Sequence, residues 1–102
     1  MRKDARANRP GWDHGQKTVS SPGTAEQLNA LTIPDGFELV VRALPGNDGN
    51  IFLGNSKANA EDANKRLTFS AGNGITLKVK NADRVWVDAA QADEGVDYWT
   101  EV

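Results

Sequence analysis

From Thr24 to Val102 apolar and polar residues alternate in short runs, each ended by a cluster of glycine, proline, asparagine or aspartate. Period two is the mark of strands with one face on a core, because successive side chains point to opposite sides of a sheet. Phe37 to Leu44 sets Phe37, Leu39, Val41 and Ala43 on one side and Glu38, Val40, Arg42 and Leu44 on the other. Both sides are partly apolar, which predicts a central strand. Ile33-Pro34-Asp35-Gly36 ahead of it reads as a tight turn. The loop Pro45 to Asn50 leads into a second strand, Ile51-Phe52-Leu53-Gly54, and the two runs are expected to form a hairpin. Arg66 to Ser70 and Ile75 to Lys80, joined by Ala71-Gly72-Asn73-Gly74, predict a second hairpin with Lys78 and Lys80 on its solvent side.

Arg84 to Ala90 points Val85, Val87 and Ala89 inward and Trp86 the other way. Val96 to Val102 does the same with Val96, Tyr98, Thr100 and Val102 against Trp99. Between these runs, Ser56 to Lys65 is polar and alanine-rich, with room for at most one helical turn, and a surface loop fits it better. No stretch has the amphipathic period of a helix of about ten residues, which excludes βαβ units. The pattern predicts an all-β fold, an antiparallel β-sandwich or jelly roll of six to eight short strands.

The first residues do not share this grammar. Between Met1 and Thr18 the one large aromatic side chain is Trp12, and Arg9-Pro10-Gly11 and His14-Gly15 interrupt both helix and ladder. Residues 1–19 are therefore expected to form a flexible, extended basic arm on a sandwich domain over 20–102. Residues 1–17 hold Arg2, Lys3, Arg6, Arg9 and Lys17 against Asp4 and Asp13, a net +3, while the rest of the chain carries −5. That asymmetry points to an arm that seeks an acidic surface, on a partner or on a second copy. Trp12 is its candidate anchor, since tryptophan is the residue type most often found at the centre of a protein contact.

Composition narrows the chemistry. A chain of 102 residues has room for one modest core. Without cysteine it has neither a disulfide framework nor a thiolate metal site. No run of about 18 apolar residues occurs, so neither a membrane partner nor a classical signal is expected, and a cytoplasmically made product is the default. The sole histidine, His14, lies in the arm with no fixed base or nucleophile beside it, which argues against a catalytic triad. Asp93, Glu94 and Asp97, and the loop Asn47-Asp48-Asn50, offer oxygen ligands at no recognised calcium spacing and read as turn and solvation chemistry. The glycine clusters precede no helix and so cradle no phosphate. The arm's five cations, joined to an acidic body, make nucleic acid a poor partner. No enzyme activity and no cofactor are expected, and the chain is read as a protein-binding module. Trp86 and Trp99 lie opposite the apparent core positions of their strands. Were those strands side by side, the indoles would make one surface, for a subunit contact or a sugar, unless the opposite face is core as well.

Gly23-Thr24-Ala25 with Leu28, Ile33-Pro34-Asp35-Gly36-Phe37, the run Gly49 to Ser56, Leu67, Gly72 and Gly74 before Ile75-Thr76-Leu77, Arg84 to Ala89, and Gly95-Val96-Asp97-Tyr98 form a series over most of the chain. In these residues the chain resembles a family of small bacteriophage and prophage virion proteins. The resemblance implies a capsid decoration, or cement, protein: a β-sandwich homotrimer on the outer surface of the head that binds the major capsid protein. A head-to-tail or tail accessory protein is a second implication. A carbohydrate-binding module on a virion or cell surface, using Trp86 and Trp99, is an alternative of a different class. The family pattern starts near Ser20, so the basic residues Arg2, Lys3, Arg6 and Arg9 with Trp12 are an addition to it, suited to clasping a neighbour over a reach of about 50 Å.

Overall fold

Leu39, Val41 and Ala43 are buried, and so are Ile51 and Leu53, Val85, Val87 and Ala89, and Val96 and Tyr98. These alternating positions make up the core between two antiparallel sheets. The computed structural model describes residues 12–101, with side chains as far as Thr100. Eight strands are present among them: β1 Trp12–Val19, β2 Glu26–Gln27, β3 Leu39–Ala43, β4 Ile51–Gly54, β5 Leu67–Phe69, β6 Gly74–Leu77, β7 Trp86–Ala89 and β8 Glu94–Glu101. One helical turn, α1 Lys57–Glu61, lies between β4 and β5.

The first sheet runs β1-β8-β3-β6 and the second β2-β7-β4-β5. Strand one pairs with eight, two with seven, three with six and four with five. This is a long antiparallel ribbon rolled over on itself, the jelly-roll arrangement of two Greek keys. The all-β sandwich expected from period two is what the chain adopts, with β3 central between β8 and β6.

Both expected hairpins are absent, although their strands are where the pattern put them. β3 and β4 lie in different sheets, and so do β5 and β6. Instead of folding back, the turn after β5 crosses the sandwich and ties to the end of β3: Gly72 N–H donates to Ala43 O at 2.9 Å, and Ala43 N–H to Asn73 O at 2.8 Å. Alternation states which side chains face the core, and an arch between sheets satisfies that as well as a hairpin does.

The expected arm is also corrected. From Trp12 onward it is a strand, paired with β8 over all eight positions from Trp12 opposite Glu101 to Val19 opposite Glu94. β3 covers only Val96 to Trp99 on the other side of β8, so without β1 one edge of that strand would go unpaired. His14-Gly15, read as a break in the ladder, is what lets β1 lie there. A Cβ on Gly15 would stand 2.5 Å from Cζ of the Tyr98 ring. Where β1 and β2 form the sandwich margin, Lys17 Nζ meets Glu26 Oε1 at 3.5 Å, and Glu26 Oε2 accepts from Ser20 N–H at 3.0 Å.

Candidate partner interface

The two outer faces of the sandwich differ. On the second sheet, Phe52, Gly54, Trp86 and Asp88 are the outward positions, with Phe52 opposite Asp88 and Gly54 opposite Trp86. This face is covered by the protein's own chain. Ser56 caps α1 by accepting from Asn59 N–H at 3.1 Å, and the buried Ala60 packs so closely on β4 that any side chain at Gly54 would strike the Ala60 backbone. Glu61 Oε2 ties the same turn to Ala25 N–H at 2.8 Å, and the Arg66 guanidinium lies 3.4 Å from the centre of the Phe52 ring. Asp88 is buried and accepts from Gly23 N–H at 2.9 Å. Trp86 is half-buried at the margin of this roofed face.

Among the described residues, no comparable segment covers the outer face of the first sheet. The register sets His14 opposite Trp99, Trp99 opposite Val40, and Val40 opposite Thr76, a row across all four strands. Trp12 lies two residues before His14 on the same side of β1, 60% exposed, its ring edge-on to His14 with centroids 5.4 Å apart. An indole left that far in water forfeits burial that a contact would recover.

Behind the row, Arg42 and Asp97 are direct cross-strand partners. Nε of Arg42 donates to Oδ1 at 3.0 Å and Nη2 to Oδ2 at 2.5 Å, a two-pronged grip on a carboxylate that is only 7% exposed. The guanidinium also sits 5.7 Å from the centre of the Trp99 ring. Hydrogen bonding to Asp97, then its charge, holds the Arg42 pKa above its ordinary value. Trp99 is thus flanked by a cation that is itself held by Asp97.

Two of the tryptophans singled out in the sequence, Trp12 and Trp99, therefore share one face. Trp86 does not join them: β7 and β8 belong to different sheets, so the surface expected from Trp86 with Trp99 does not exist. Arg2, Lys3, Arg6 and Arg9 lie outside the described residues. His14, Val40, Arg42 and Asp97 were not anticipated at this surface. A charged residue inside the apolar run Leu39 to Ala43 was the available signal for Arg42, but its partner lies 55 positions away and no local pattern names it.

The acidic loops are occupied with each other. Glu94 accepts from Asp48 N–H at 2.6 Å and Gly49 N–H at 2.9 Å, and the Asn47 amide donates to Gly95 O at 2.8 Å. Among the described residues no three histidine, cysteine or carboxylate side chains cluster as metal ligands would, and no helix is long and apolar enough to cross a membrane. A comparison of the chain with known protein families, curated proteins and solved structures finds no match.

Proposed function

We propose that this chain is a virion structural protein of the capsid decoration type, which docks on the lattice of the major capsid protein through the outer face of its first sheet. The observation that carries the reading is the asymmetry of the two faces: one is roofed by residues 55–66, and the other presents the exposed Trp12 and His14 and the half-buried Trp99 beside an Arg42–Asp97 pair. An aromatic surface with a polar flank has the make-up of a binding hot spot. The jelly roll recurs in viral coat proteins, an analogy of fold that agrees with the family resemblance from Ser20 onward. The resemblance adds trimeric assembly on the outside of the head. Residues 1–11 precede Trp12 in the sequence and hold four cations against one carboxylate, a charge suited to an acidic neighbour.

Decoration-free heads incubated with the purified protein test this. Trp12→Ala combined with Trp99→Ala should weaken attachment roughly thirty-fold or more, as loss of a hot spot does. Trp86→Ala should leave it intact. Unchanged attachment of the double variant, or equal loss in Trp86→Ala, would overturn the reading. The carbohydrate alternative rests on Trp86 and Trp99 together, and these two stand on different sheets.

A further inference from the structure

At the margin formed by β5 and β6 the core is unfinished. Leu67 stands opposite the buried Leu53, in an inward position, yet it is 48% exposed. Leu77 likewise stands opposite the fully buried Leu39 and is only half-buried. Leu67 and Leu77, with Val79, Val85 and Leu53, line an open cavity of about 320 Å³ between the two sheets. The opposite margin is closed by the crossing chain and the Lys17–Glu26 pair. Here nothing of the described chain fills the gap.

We propose that this mouth receives an extended peptide segment of a partner protein, with one aliphatic side chain in the cavity and carboxylates beside it. The volume is at the low end of ligand pockets and suits an aliphatic side chain. Lys65 and Arg84 stand on its rim, and neither pairs with a carboxylate among the described residues. β5 ends its sheet, so its outer backbone groups are open to an added strand. Charge excludes this protein's own first residues as occupant, because Arg2, Lys3, Arg6 and Arg9 would meet two further cations. The inference does not depend on the capsid reading, since the mouth lies on the sandwich margin and not on the Trp12 face.

The test titrates the full chain, isotope-labelled for amide NMR, with an acetylated Asp-Val-Leu-Val-Glu amide, its Asn-Val-Leu-Val-Gln counterpart, and octanoate. The acidic peptide should shift the amides of Leu67, Leu77 and Val79 and bind roughly ten-fold tighter than the neutral one, as two carboxylate contacts imply. Lys65→Ala with Arg84→Ala, both on the solvent rim, should erase that difference and leave the fold unchanged. Equal binding of the two peptides, shifts on the Trp12 face instead, octanoate binding as tightly as the peptide, or no binding of the acidic peptide at roughly millimolar concentration would each overturn the proposal.

Discussion

Arg42 and Asp97 face each other across β3 and β8, and their two hydrogen bonds make a charged pair the centre of the sheet's outer face. The carboxylate is the buried member. Removing the arginine strands that charge, whereas Asp97→Asn leaves a neutral group that still accepts a hydrogen bond. Arg42→Ala is therefore expected to lower stability more than Asp97→Asn, and to change the emission of Trp99, which loses its flanking cation. Urea unfolding of both variants, followed by tryptophan fluorescence, checks the order. Equal losses would mean that the pair contributes by packing alone.

Gly15 is held by the ring beneath it. Alanine there would drive a methyl group into Tyr98, whose hydroxyl is hydrogen-bonded to the Asn29 backbone and whose ring is buried. Overpacking of this kind costs about 1–3 kcal/mol. The same change made in a Tyr98→Val background should cost far less, and a double-mutant cycle from denaturant midpoints measures the difference.

Which residues face the core was legible along the chain, and which strands would be neighbours was not. Leu39, Val41 and Ala43, or Val85, Val87 and Ala89, announce their side by alternation, and burial follows it. A strand's partner depends on where the chain crosses from sheet to sheet, and Gly72 gives the same local signal in an arch as in a hairpin. The candidate interface divides along the same line. Trp12 and Trp99 stand out as aromatics with no place in a core pattern, but their shared face, and the exclusion of Trp86 from it, follow from β1 pairing with β8. The arm was misread from Trp12 onward because glycine at position 15 weakens a strand by propensity and permits this one by contact.

Tyr98 is the only tyrosine, so its titration can be followed by near-ultraviolet absorbance without interference from a second phenol. Burial pushes its pKa up, and the Asn29 backbone hydrogen bond opposes this more weakly. The native phenol should ionise above the usual value near 10. An acid whose folded pKa is raised contributes its stability below the unfolded value and loses it as pH rises through the folded one. Alkaline unfolding should therefore accompany ionisation, and Tyr98→Phe should shift it to higher pH.

Glu61 gives the opposite sign at the other end of the scale. Lys57, bonded to it at 2.7 Å, and then the Ala25 N–H lower its pKa below the ordinary carboxyl value. A folded pKa below the unfolded one stabilises above the unfolded value, and that contribution fades as pH falls through the folded value. The turn α1 is pinned to the segment before β2 through this carboxylate alone of its acidic side chains, since Glu61 is the single one it holds. Acidification should therefore loosen α1 ahead of the core, with the Ala25 amide exchanging faster than the amides of Leu53 or Val87. Glu61→Gln should remove this acid dependence while retaining the fold at neutral pH. Hydrogen exchange across the acid range decides it: an Ala25 amide as protected in acid as at neutrality would show that the packing of Ala60 on Gly54 holds the turn without the charge.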